Sequence, residues 1–171
     1  MTRPAVPPPF AVGALLAPLP LFAYGTLLPG QPLAGLLAPH VVAAAPATVA
    51  GRLHWHACRQ FPVVVVDPAA RTWGLRVQVD PDAGLLGRLA AEELACGYEA
   101  RWVEATGADG NALGPTLLFT WPWVGTTVGP EIVGGRFTAP EVLETGYRTS
   151  RPPGCRRPPA PHDAPTGGHA P

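Results

Sequence analysis

The chain has 171 residues, 47% of them hydrophobic, with 12 basic and 12 acidic side chains and a formal net charge of zero. That length and apolar content suit one domain with a real core, and the charge balance argues against a nucleic-acid partner, whose binding rests on neutralising phosphates. Cys58, Cys96 and Cys155 are odd in number and form no C-x-x-C pair, which favours a reducing, cytoplasmic setting over a disulfide framework or a zinc knuckle.

At the N-terminus, Arg3 followed by the apolar stretch from Phe10 to Ala17 faintly imitates a signal peptide, but Pro4 and Pro7 to Pro9 oppose the helix such a signal requires. Residues 1–18 are therefore expected to be a flexible leader. No run reaches the roughly 18 apolar residues of a membrane helix, so no membrane partner is expected. The segment "RPPGCRRPPAPHDAPTGGHAP" from Arg151 is rich in proline and glycine and poor in large apolar side chains, too poor to offset its ordering entropy. The folded domain is placed at residues 19–147 and a disordered tail at 148–171.

Within the domain the dominant signal is strand. "LPLFAYG" (Leu19–Gly25) reads as a short buried strand, "ATVAGRLHW" (Ala47–Trp55) as one alternating strand, and "FPVVVV" (Phe61–Val66) as a buried run ending at the turn Asp67–Ala70. "TWGLRVQVD" (Thr72–Asp80) alternates again. From Pro81 to Leu94 the pattern turns helical, with Leu85, Leu86, Leu89 and Ala90 near one face and Asp82 close to the start. "YEARWVEAT" (Tyr98–Thr106) and "TLLFTWPW" (Thr116–Trp123) then read as strands paired across the turn Gly107–Ala112. One helix among many strands, without strict alternation, predicts an α+β fold: a small mixed or antiparallel β-barrel with one main packed helix.

The strand ending at Tyr24-Gly25-Thr26-Leu27 offers successive backbone N–H groups at a tight turn, and glycine there permits an unusual backbone angle and close approach by a ligand. Such a turn can hold a carboxylate. "FAYGTLLPG" resembles the strand and loop that open the gamma-glutamylcyclotransferase-like (AIG2-like) proteins, whose hallmark is Tyr-Gly-Ser/Thr-Leu after a short apolar strand. The likeness continues in order through Gly51-Arg52-Leu53, Phe61-Pro62-Val63, Gly74-Leu75-Arg76-Val77 and the Pro81 to Leu94 helix, covering about residues 20–125.

In that family the helix ends in Leu-Asp-x-x-Glu-Gly, and the glutamate is the catalytic acid/base. Laid on "LAAEEL", the resemblance makes Leu89 the leucine and Glu93 the catalytic glutamate, with Ala90 where Asp is usual and Leu94 where Gly is usual. Glu92, about 100° round the helix from Glu93, is expected to face elsewhere. The reaction so implied closes a γ-glutamyl amide onto its own α-amine, forming 5-oxoproline and releasing the free amine. It needs neither cofactor nor metal, only a folded substrate, a proton carrier and hydrogen-bond donors. Tyr24, Gly25, Thr26 and Leu27, with Tyr98 after the helix, are the expected substrate-binding residues. Glu93 is expected to carry the proton, aided by partial burial in an apolar cavity that raises its pKa.

Two other readings belong to different classes. The Ala90 and Leu94 departures suit a carboxylate-binding module of the same fold without chemistry, and the tryptophans with the Pro-rich tail suit an interaction scaffold. "HWHAC" sets His54, His56 and Cys58 on one strand face, a possible zinc set without a fourth local ligand; strand alternation explains the same pattern with Trp55 and Ala57 turned to the core. Trp121 and Trp123 around Pro122 are expected to cap the barrel rather than line a substrate mouth. Ser150 is the chain's one serine and stands at the edge of the tail, so a serine hydrolase has little to stand on.

Overall fold

A computed structural model describes residues 18–57, 61–80, 83–122 and 128–137, without the side chains of Ala83, Leu86, Ala90 and Glu92. The proposed leader up to residue 17, the tail, Cys58, Asp82 and Trp123 lie outside the described residues, as do the Leu86 and Ala90 part of the expected helix face and the orientation of Glu92.

Strand β1 (Leu19–Ala23) pairs antiparallel with β5 (Arg71–Val79). The other edge of β5 takes β2 (Val41–Ala50), which pairs in turn with β6 (Glu99–Gly107). β6 forms a hairpin with β7 (Ala112–Thr120), and β7 returns to β1, Leu21 against Leu117, in the barrel's one parallel pair. The result is a closed five-stranded barrel in the order β1-β5-β2-β6-β7. Inward residues such as Leu21, Val49, Val77, Val79, Ala105 and Leu117 are almost wholly buried, as period-two alternation on a closed sheet requires. The expected architecture, a small mixed barrel with one main helix, is the one observed.

The stretch "ATVAGRLHW" is two strands rather than one. The chain breaks at Gly51, where a side-chain Cβ would stand 2.6 Å from Val64 Cγ1 and 3.2 Å from the Val65 carbonyl. Gly51 donates its N–H to Ala70 O (3.1 Å) and accepts from the Thr72 hydroxyl (3.0 Å), which pins the crossing point to the start of β5. Beyond it, β3 (Arg52–His56) leaves the barrel for a second sheet, between β4 (Pro62–Val65) and β8 (Val128–Glu131). The first half of β2, Val41–Pro46, extends past β6 and is largely exposed.

The alternation along β3 is also the reverse of the expectation. His54 and His56 are buried while Trp55 is half-buried and Ala57 exposed. Both faces of β3 are covered: His56 stacks on Phe61 with ring centroids 4.6 Å apart, and Trp55 meets Phe137 edge-on at 5.5 Å. The following segment is tied down by Ile132 N–H to Leu53 O (2.7 Å) and by the Arg136 guanidinium over the Trp73 ring at 4.1 Å.

Helix α1 (Ala34–Leu37) is a single turn; α2 (Ala83–Cys96) is the main one, two residues beyond the expected C-terminal end. Among its described side chains Leu85, Leu89 and Glu93 are buried, each four residues from the last and therefore stacked along one stripe. The apolar stripe that docks the helix thus continues into a carboxylate. Among the described residues no helix is long and apolar enough to cross a membrane.

Candidate active site

Tyr24 leaves β1 in an extended conformation (φ −143°, ψ 160°), and the chain then turns through Gly25 at φ +63°. That left-handed angle favours glycine, and space enforces the choice, because a Cβ there would overlap Pro62 Cγ. One turn of 3-10 helix, Gly25–Leu27, follows. It is closed by Leu28 N–H on Gly25 O (3.1 Å) and braced by Leu33 N–H on Thr26 O (2.9 Å). A single such turn does not use the N–H groups of its own first residues, here Gly25, Thr26 and Leu27, for its internal hydrogen bond.

Over this turn lies a cleft of about 260 Å³, counted out to its open mouth, lined by Phe22, Tyr24, Thr26, Leu27, Pro62, Glu93, Tyr98 and Phe119. It brings together the sequence-predicted Tyr24, Thr26, Leu27, Glu93 and Tyr98, with Gly25 in the turn beneath. Glu93 arrives from the buried stripe of α2 and is only 8% exposed. Tyr98 is placed by the end of the same helix. Gly97 takes φ +102° and donates to Leu94 O (3.1 Å), and Tyr98 N–H donates to Glu93 O (3.1 Å), a left-handed helix cap. A side chain at Gly97 would press on Trp121, its Cβ 3.0 Å from Cη2. Trp121 itself lies against Tyr98 and His56 and is buried.

The two phenols hold fixed positions. Tyr24 donates its hydroxyl proton to Phe119 O (2.7 Å), and Tyr98 donates to Pro62 O (2.6 Å). Burial, reinforced by the Glu93 carboxylate, pushes the Tyr24 phenol well above its ordinary pKa, so it stays protonated through neutral pH. Burial lowers the His56 pKa, which keeps that ring neutral inside its aromatic surroundings. Among the described residues that line the cleft, Glu93 carries the only carboxyl group.

His54 Nδ1 lies 3.2 Å from Gly129 O, and His54 and His56 both stand outside the cleft lining. Among the described residues no three His, Cys, Asp or Glu side chains are grouped to hold a metal ion. Phe22, Pro62 and Phe119 line the cleft without having been named as site residues. Phe22 was findable, two positions before Tyr24 and so on the same strand face; Pro62 and Phe119 come from strands whose approach to β1 only the closed barrel defines.

A model of the family described as gamma-glutamyl cyclotransferase, AIG2-like, matches residues 21–138. No curated protein matches the chain. Among solved structures, the uncharacterized protein PH0828 from Pyrococcus horikoshii is 23% identical, with a TM-score of 0.52 over 70% of this chain and 89% of its own. YkqA from Bacillus subtilis is 21% identical, with a TM-score of 0.54 over 70% of this chain and 39% of its own. An AIG2-like protein from Mus musculus is 20% identical, with a TM-score of 0.51 over 74% of this chain and 83% of its own. At these identities the three likenesses speak for the fold.

Proposed function

Because the chain belongs to the gamma-glutamyl cyclotransferase, AIG2-like family, we propose that it cyclises a γ-glutamyl amide to 5-oxoproline and releases the free amine. The observation that carries this reading is the meeting of a buried carboxylate, Glu93, with the Tyr24–Leu27 turn in one small cleft.

In this mechanism the N–H groups of the turn hold the substrate α-carboxylate and fold the glutamyl chain back on itself. The neutral α-amine attacks the γ-carbonyl carbon, forming the new N–C bond of a five-membered ring. Glu93 takes a proton from the attacking nitrogen and returns it to the departing one as the old amide C–N bond breaks. Protons and charge balance with no added reactant, and the nucleophile is the substrate's own. Holding the reacting atoms in register is the larger part of the task, since intramolecular reactions in a fixed geometry gain several powers of ten. The cleft is small and opens to solvent at its mouth. In this reading the glutamyl half of the substrate enters the cleft and the leaving amine extends through the mouth.

The reading that the fold binds a carboxylate without chemistry requires Glu93 to be dispensable, and its burial in the cleft favours catalysis instead. The test is incubation with a panel of γ-glutamyl amides, followed by mass spectrometry for 5-oxoproline. Glu93→Gln keeps size and reach but cannot shuttle a proton, so turnover falls by a factor on the order of 10² to 10⁴. Binding of a stable substrate analogue stays within about tenfold. Glu92→Gln, a neighbouring helix position about 100° away, leaves turnover near wild type. No 5-oxoproline from any member of the panel, or full activity in Glu93→Gln, refutes the reading.

A further inference from the structure

We propose that Trp121 is a positioning residue for the Glu93 carboxylate: its ring holds the C-terminal end of α2 and so sets the carboxylate over the Tyr24–Leu27 turn. The proposal rests on the cyclotransferase reading only for its effect on turnover.

Helix α2 docks through Leu85 and Leu89, both of which precede Glu93. Beyond Glu93, Leu94 is exposed and Ala95 and Cys96 are half-buried, so the apolar stripe gives this end of the helix little hold, and helix ends fray where they are not held. Trp121 supplies the packing there. A Cβ at Gly97 would stand 3.0 Å from its Cη2 and 3.4 Å from its Cζ3, and the Tyr98 ring meets it edge-on, with centroids 5.3 Å apart and planes at 87°. Gly97 and Tyr98 are the residues that close the last turn, through Gly97 N–H to Leu94 O and Tyr98 N–H to Glu93 O. The second of these bonds ends on the backbone of Glu93 itself. Trp121 is therefore one packed neighbour and one hydrogen bond away from the segment that carries the carboxylate.

Trp121 is itself fixed from the opposite direction. Its backbone N–H donates to Val64 O in β4 (2.8 Å), and its ring stands edge-on to His56 at 4.8 Å. His56 stacks on Phe61, and Phe61 returns to Tyr98 at 5.9 Å. These rings, from β3, the approach to β4, the chain just after β7 and the residue after α2, form a closed circuit. Edge-to-face contacts between rings are directional, so the circuit sets angle as well as distance. Phe61 is followed by Pro62, the residue that a Cβ at Gly25 would overlap, and the circuit thus ties the Glu93 end of α2 to the segment that shapes the turn. The main-chain bond to Val64 does not involve the indole, so replacing the side chain removes the packing and keeps the attachment to β4.

The experiment combines amide hydrogen exchange, followed residue by residue by NMR on the full chain, with steady-state kinetics. In Trp121→Leu the Gly97 and Tyr98 amides exchange at least about tenfold faster, the mark of local opening at the helix end, while amides of Leu89 and of the β2–β5 pairing keep their wild-type rates. On the γ-glutamyl amide that wild type cyclises fastest, kcat falls about 10²-fold, the cost of displacing a reacting group by about 1 Å. KM stays within about threefold, since the Tyr24–Leu27 turn is left as it is. Trp121→Phe keeps an aromatic edge against Tyr98 and recovers most of both losses, which a role in bulk stability alone would not require. Gly97→Ala presses on the same ring from the helix side, and it gives the faster Tyr98 exchange and the fall in kcat should Trp121→Leu fold poorly. Exchange that quickens throughout the domain, exchange unchanged at Gly97 and Tyr98, or a rise in KM with kcat untouched overturns the proposal. The two readings fail separately: no 5-oxoproline from wild type sinks the cyclotransferase while exchange still decides the role of Trp121, and wild-type kcat in Trp121→Leu sinks that role and leaves the cyclotransferase standing.

Discussion

The left-handed turn at Gly25 permits a stability prediction with an internal control. Gly25 (φ +63°) and Gly30 (φ +80°) share a backbone conformation that L side chains resist, but they differ in surroundings: a Cβ at Gly30 meets nothing within 4 Å, whereas one at Gly25 would overlap Pro62 Cγ. Substitution by alanine costs about 1–2 kcal/mol at either position for the backbone alone. At Gly25, forcing a methyl group into a filled space adds about 1–3 kcal/mol. Gly30→Ala is therefore expected to lose about 1–2 kcal/mol and Gly25→Ala about 2–5 kcal/mol, a large share of the 5–15 kcal/mol typical of a folded domain. The effect of alanine on the unfolded chain is similar in both and drops out of the difference. Urea denaturation, read as midpoint and slope, measures each loss. Pro62→Ala in the Gly25→Ala background should restore the added part as a coupling of about 1–3 kcal/mol. Equal losses at the two glycines, or no relief on trimming Pro62, would refute the claim that Pro62 sets the shape of the turn.

The raised pKa of Tyr24 has a definite sign: the folded state keeps a proton that the unfolded state has lost above about pH 10, so this contribution to stability is complete below that pH and declines as pH rises beyond it. The chain has no lysine to blur the titration, and wild-type stability should fall, relative to Tyr24→Phe, by about 1.4 kcal/mol per pH unit above pH 10; parallel pH profiles for the two proteins would contradict it. Removing Arg151–Pro171 should leave the unfolding midpoint unchanged, whereas truncation after Ile132 should lower it, because the Phe137–Trp55 and Arg136–Trp73 contacts go; calorimetry on both truncations decides. Turnover should survive EDTA, since ring closure by the substrate's own amine needs no Lewis acid; loss of activity that zinc restores would reopen the case for His54, His56 and Cys58.

Much of the fold was legible where the local pattern and the tertiary environment agree. The β6–β7 hairpin is announced by strand residues either side of Gly107–Ala112, and the helix by its leucines. Patterning failed where burial is two-sided. Along β3, histidines read as polar and tryptophan as apolar, yet the covering of both faces by Phe61 and Phe137 leaves the histidines the more buried. Val41–Pro46 was missed as strand because alanine has little β preference; its extension comes from pairing with β5, a long-range partner. In the site, the Tyr24 turn was visible from its glycine, and Glu93 from a resemblance, although the spacing Leu85, Leu89, Glu93 already marks one helical stripe. Nothing local identifies Phe119, because its place beside Tyr24 depends on closure of the barrel.

That closure bears on when the site comes into being. The bond from the Tyr24 hydroxyl to the Phe119 carbonyl joins residues 95 positions apart, and the parallel pairing of β1 with β7 spans a similar stretch. Closing a loop of that length costs roughly 4 kcal/mol in the length-dependent part of the chain entropy, and non-local strand pairing slows folding. During synthesis β1 is made first but must await both β5 and β7, so the floor of the cleft is completed only after most of the domain has left the ribosome. The cleft is then a late product of folding rather than a preformed pocket, and a ligand that settles there reports on, and is stabilised by, the closed barrel as a whole.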